Sequence, residues 1–165
     1  MRIWFFSDFH IEHGKIPERT IVENGIPEAD VCVVPGDMHT GHYAVPLLAQ
    51  DLSQSMPVIY VPGNHDYYGQ CMRDVRGWMQ EAAAHHPDFH LLDPGVVVIA
   101  GVRFVGASLW TDYELNGEDT RAKAMLEAAR TMNDHRLISY DPPSRPVWTP
   151  KDALEHHRQE LDFIR

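Results

Sequence analysis

The stretch Val58-Ile59-Tyr60-Val61-Pro62-Gly63-Asn64-His65-Asp66-Tyr67 runs four apolar residues into a proline–glycine break and then into a compact polar cluster. A continuously apolar run of this length reads as a strand covered on both faces, as parallel strands are. Two upstream stretches share the design. Ile3–Phe6 leads into Ser7-Asp8-Phe9-His10, and Val31–Val34 leads into Pro35-Gly36-Asp37. Proline suits a strand terminus, and glycine permits the backbone conformation and close approach that a following polar residue requires. Residues two apart in an extended chain project to the same side, so Asp8 and His10 point together while Phe9 points away.

The spacing gives the topology. Asp37 follows Asp8 by 29 residues and Asn64 follows Asp37 by 27, each about one strand–helix–strand unit of roughly 30 residues. Between the strands lie helix-compatible segments. Residues 43–53 tolerate Pro46 in a first turn and carry Leu47, Leu48 and Leu52; further on, Met72, Val75, Met79 and Ala82 fall at helical spacing. Strand alternating with helix implies an α/β sheet with right-handed crossovers. Such a sheet puts the C-terminal ends of its strands on one edge, where ligands bind. Asp8, His10, Asp37, Asn64 and His65 are therefore expected to gather in one shallow site.

Hard carboxylate and amide oxygens mixed with imidazole suit divalent Mn, Fe or Zn. Two such ions about 3.5–4 Å apart can bind the oxygens of an anionic phosphoric ester and activate water against it. Asp37, the middle donor, is the carboxylate placed to reach both ions. His65 stands beside a ligand without being needed as one, and is free to protonate a leaving group. Each motif alone is weak: Asp-x-His is commonly surface polarity, and Gly-Asn-His-Asp can be a turn followed by a helix cap. Their recurrence at three successive strand ends carries the reading.

The second half changes character. Val96–Ile99 and Val102–Val105 flank Ala100-Gly101 as a tight antiparallel hairpin. A polar loop over residues 112–119 precedes a helix over 120–131, and the proline-rich stretch 140–148 reads as a loop. A last helix is signalled by Thr149 as cap, Pro150 at its first position and Asp152 three after the cap, with Leu154, His157, Leu161 and Ile164 as its inner stripe. No repeats or low-complexity tracts interrupt the chain, and residues 1–165 read as one domain.

Composition narrows the function classes. Of 165 residues 44% are hydrophobic, and 24 acids against 14 bases leave a net charge of −10. That field repels a nucleic-acid backbone and argues against long nucleic acid as a partner, but not against a small phosphorylated substrate. Cys32 and Cys71 make no disulfide framework, and Cys32 lies in an apolar run as a core thiol would. The N-terminus lacks the core of a signal peptide and no segment approaches a membrane span, so a cytoplasmic location is expected.

The segments "DFH", "GD" and "GNHD" resemble the first three signatures of the calcineurin-like metallophosphoesterases. "VRFVGASLWTDY", "MNDHRLI" and "TPKDALEHHRQELDFI" are similar to a bacterial branch of that superfamily. The resemblance implies a four-layer α/β/β/α sandwich around two metal ions. Asp8 and His10 would bind the first ion, Asp37 would bridge, Asn64 would bind the second, and His65 would be the general acid. Asp66 would support rather than ligate. Family members continue past the helix matching residues 154–164 into a strand ending in a histidine motif and a Gly-His-x-His segment. Against that pattern the chain reads as C-terminally truncated.

Occupancy of the second metal position was therefore left open by the sequence. His13, His39 and His42 are candidates to supplement the ligands, while His85-His86 and His156-His157 read as helix residues. Residues 110–113 and 133–135 are expected to lie near the site entrance. Two functions follow: a metal-dependent phosphomonoester or phosphodiester hydrolase, or a non-catalytic or partner-completed metal-binding module on the same fold. Sheet edges and apolar surface that the absent segments would cover lead to an expectation of self-association or a partner chain.

Overall fold

Alternation within the three apolar runs decides which side chains face each side of the sheet. A computed structural model describes residues 1–15, 20–23, 25–141 and 147–165. Strands β1 (Ile3–Phe5), β2 (Val31–Pro35) and β3 (Val58–Val61) pair in parallel in that order, with Trp4 opposite Cys32 and Val33 opposite Ile59. A short fourth strand, β4 (Phe89–Leu91), adds in parallel beside β3. Sequence reading gave no strand there, because three residues directly after a helix are too few to show a period.

One face of this sheet meets helices. Cys32 and Val34, Val58 and Tyr60, and Phe89 form a buried cluster with Val45, Leu48 and Leu52 of α2 (Ala44–Leu52) and with Met72, Val75 and Met79 of α3 (Met72–Ala84). A short α1 (Thr20–Glu23) contributes Ile21 to the same cluster. Pro46 is tolerated because it falls in the first turn of α2. Cys32 is fully buried, and burial pushes its thiol up to about 12, so it is an inert core residue, as its apolar surroundings suggested.

The opposite face carries Val31, Val33, Ile59 and Val61. It packs against Val97, Ile99 and Phe104 of a second, antiparallel sheet made of β5 (Gly95–Ile99) and β6 (Val102–Gly106). Ala100 and Gly101 turn the hairpin with φ of 48° and 80°, the paired positive values that a two-residue turn of matching twist requires. Helices, parallel sheet and hairpin thus stack in layers as an α/β/β arrangement, with the outer face of the hairpin open among the described residues. Val96 and Val98 there are 50% and 62% exposed, as is Phe5 at the edge of the first sheet, at 74%.

Three further helices, α4 (Arg121–Thr131), α5 (Asp134–Leu137) and α6 (Pro150–Ile164), close the fold beside α3. The cap of α6 is as expected: the Thr149 side chain accepts from the Asp152 amide and the Asp152 carboxylate accepts from the Thr149 amide. Its buried face is rotated from the expected stripe. Ala153, His156 and Glu160 are buried with Leu154, whereas Ile164 is 40% exposed. Trp148 and Tyr140 receive the His156 ring, and Arg76 faces Glu160, so polar residues occupy positions where an apolar period would place aliphatic ones. Most of the proline-rich stretch, residues 142–146, lies outside the described residues.

Candidate metal centre

The strand ends do converge. Asp8, His10 and Asp37 have φ of 59°, 45° and 56°, a left-handed backbone that non-glycine residues adopt at a cost of roughly 1–3 kcal/mol each. Hydrogen bonds between the loops hold them there. The Asp8 amide donates to the Gly36 carbonyl at 3.3 Å, the His10 amide to the Asp37 carbonyl at 3.0 Å, and the Ile11 amide to the Met38 carbonyl at 3.0 Å. The ligating atoms of Asp8, His10 and Asp37 all come within 4.8 Å of one another. Three such groups in mutual reach could hold a divalent cation.

Asp66 buckles the two Val-Pro-Gly loops together. Its buried carboxylate accepts from the Gly63 amide at 2.8 Å, from the Asp37 amide at 3.2 Å and from the Tyr60 hydroxyl. Burial pushes its carboxyl up to about 7, and these hydrogen bonds offset part of that rise. Asp66 belongs to neither group of donor atoms close enough to hold an ion, and its carboxylate ties the two loops together. Burial also raises Asp37, opposed by the His65 amide 3.0 Å from Oδ1 and by the imidazoles nearby. A half-buried carboxylate in this setting would be stabilised by a nearby cation.

Asn64 and His65 are oriented from outside their loop. The Asn64 Nδ2 donates to Asp134 Oδ1 at 2.8 Å and to the Tyr68 hydroxyl at 3.0 Å, which engages the nitrogen end of its amide. His65 Nδ1 lies 3.0 Å from Glu12 Oε1, and its ring packs on His10 and Tyr68 at centroid distances of 4.3 and 4.2 Å. Glu12 was absent from the sequence reading. The signal available was that Asp8, His10 and Glu12 alternate at every second position, a carboxylate following the imidazole it holds.

The other histidines separate cleanly. His13 joins Glu12, His10 and His65 in a second group whose donor atoms lie within 4.8 Å of one another. His39 and His42 belong to neither group and contact Tyr43, His42 also meeting Trp78. His85 ends α3, and His156 packs in the core. His157, read as inward, reaches the Trp110 carbonyl. Asn64 opens onto a cavity of about 330 Å³ also lined by Trp110, Thr111, Tyr113, Met132 and Asp134. The entrance expected of residues 110–113 and 133–135 is thus present in part, although His135 is buried, its Nδ1 3.1 Å from the Trp148 carbonyl.

Carboxylate, imidazole and amide side chains thus gather at the C-terminal ends of successive parallel strands, the arrangement expected of a metallophosphoesterase. Residues 1–159 match the calcineurin-like phosphoesterase family, and the chain belongs to it. None of the curated proteins compared with it matches the chain. Among solved structures it is similar to phosphopantetheinyl hydrolase (PptH) from Mycobacterium tuberculosis, with a TM-score of 0.64 and 19% identity. That likeness covers 99% of this chain and 62% of the neighbour, and at such identity it concerns the fold.

Proposed function

We propose that the chain is a divalent-metal-dependent hydrolase of small phosphoric esters. The observation that carries this reading is the convergence of Asp8, His10 and Asp37 within 4.8 Å on left-handed backbones, beside Asn64 and His65. Their oxygens and imidazole fit Mn, Fe or Zn. Asp8 and His10 would hold one ion, Asp37 would reach toward two, and Asn64 would offer its amide oxygen to the second. When bound, such ions supply Lewis-acid charge to the phosphoryl oxygens and to the attacking water.

The chain's own residues supply the rest. As the imidazolium, His65 would keep its Nδ1 hydrogen on Glu12 and give its Nε2 proton to the departing alkoxide. The cavity beside Asn64 takes the non-transferred group of the ester. Its lining combines indole, phenol and thioether with a single acid and no basic side chain, which favours an ester of an uncharged alcohol over a polyanion. No helix among the described residues is long and apolar enough to cross a membrane.

The test is hydrolysis of 4-nitrophenyl phosphate and bis(4-nitrophenyl) phosphate by the purified chain with manganese, iron or zinc, beside Asp37→Asn. Metal-dependent turnover that falls by more than about a hundredfold in the variant supports the reading, since even a residue that only orients a ligand is worth 10–100-fold. Equal turnover in both proteins, or none with any of the three metals, contradicts it.

A further inference from the structure

One carboxylate stands behind two imidazoles of the site. Glu12 Oε1 lies 3.0 Å from His65 Nδ1 and 3.4 Å from His10 Nδ1. Its side chain is only 12% exposed, and its other oxygen, Oε2, is buried with no hydrogen-bond partner among the described residues. The other edge of the His10 ring faces the strand ends, with Nε2 3.8 Å from Asp8 Oδ1. We propose that Glu12 is a positioning residue that fixes the ring orientation and tautomer of both His10 and His65, so that each presents Nε2 to the metal and substrate side. This deepens the phosphoesterase reading and rests on it for the role of His65, but not for the geometry of either ring.

The physical argument is donor accounting. A carboxylate oxygen accepts only, so a ring nitrogen bonded to it carries the hydrogen. With Nδ1–H on His10 directed at Glu12, the lone pair stands on Nε2, the atom toward Asp8 and Asp37. With Nδ1–H on His65 directed at the same oxygen, Nε2 is where the ring takes up a second proton, and the imidazolium so formed gives that proton to a leaving group. A carboxylate behind a ligating histidine is a common way to fix the tautomer and raise ligand basicity. The two rings that share the carboxylate also pack on each other edge to face, their centroids 4.3 Å apart.

The experiment is long-range ¹H–¹⁵N correlation spectroscopy of the histidine rings in the metal-free full chain, compared with Glu12→Ala and Glu12→Gln. Expected is the Nδ1–H tautomer for His10 and His65 in the wild type, its loss in Glu12→Ala, and its retention in Glu12→Gln, which keeps an acceptor oxygen. Manganese affinity measured alongside falls about 10–100-fold in Glu12→Ala and less in Glu12→Gln. An Nε2–H tautomer in the wild type, or tautomers unchanged by Glu12→Ala, overturns the proposal. Native-like amide spectra show that the variants are folded. Because ring tautomers are read without turnover, predicted tautomers in a protein that hydrolyses no phosphoric ester would sink the phosphoesterase reading and leave the positioning role standing.

Discussion

Asp134 accepts a hydrogen bond from the side-chain amide of Asn64 at 2.8 Å across 70 residues of sequence, and a second from the Tyr68 hydroxyl at 2.6 Å. This pairing occupies the nitrogen of the Asn64 amide and fixes how the amide plane is turned. Replacing Asp134 by Ala frees the amide to rotate, and metal-dependent turnover is expected to drop about 10–100-fold. Asp134→Asn keeps an acceptor oxygen and should lose less. Steady-state rates of both variants over a manganese titration decide the matter; equal losses would mean that Asp134 acts through its charge instead.

Gly63 and Asp37 give a second prediction, because a Cβ on Gly63 would stand 2.1 Å from Asp37 Oδ1. Gly63→Ala must displace the Asp37 carboxylate, and manganese binding should weaken more than the fold does. Gly36→Ala is the contrast. There φ is 74° and the added carbon would lie 2.5 Å from the Gly63 backbone nitrogen, so the loops themselves must part. Overpacking of this kind costs about 1–3 kcal/mol, and Gly36→Ala should show the larger fall in thermal midpoint. Wild-type manganese affinity in Gly63→Ala would remove Asp37 from the ligand set.

Glu160 gives stability a pH dependence away from the metal site. Its side chain is 3% exposed; burial and then the charge of Asp93 raise its carboxyl, while the amides of Leu109 and Trp110 and the Arg76 guanidinium, 3.8 Å away, hold the rise in check. A carboxyl raised in the fold binds more protons folded than unfolded, so its unfavourable contribution is absent below the ordinary value of 4.5 and grows as pH rises from there toward the folded value. Glu160→Gln, which cannot ionise, should match the wild type near pH 4 and melt higher at pH 7, by on the order of 2–4 °C. Arg76 keeps Asp93 at 2.8 Å in the variant. A constant difference across that range would show that Glu160 contributes through packing alone.

Much of this was legible because the signals are local. Four apolar residues followed by Pro-Gly and a polar cluster identify β3 and its cargo without reference to the rest of the chain, and Thr149-Pro150 with Asp152 mark the start of α6. The unread parts depend on distant contacts. Glu12 acquires its role from His65, 53 residues on. The face of α6 follows Arg76, Tyr140 and Trp148, which make His156 and Glu160 interior residues against their ordinary preference. His39 and His42 follow the Asp37 loop in sequence, but their contacts are with the aromatic rings of Tyr43 and Trp78.

The central claim, that three strand ends assemble a metal site, is tested most directly by calorimetric titration of the metal-free chain with manganese beside Asp37→Asn and Asp8→Ala. The account predicts saturable binding of at least one ion per chain, weakened more than about a hundredfold in each variant. No saturable binding, or binding that both variants retain, would contradict it.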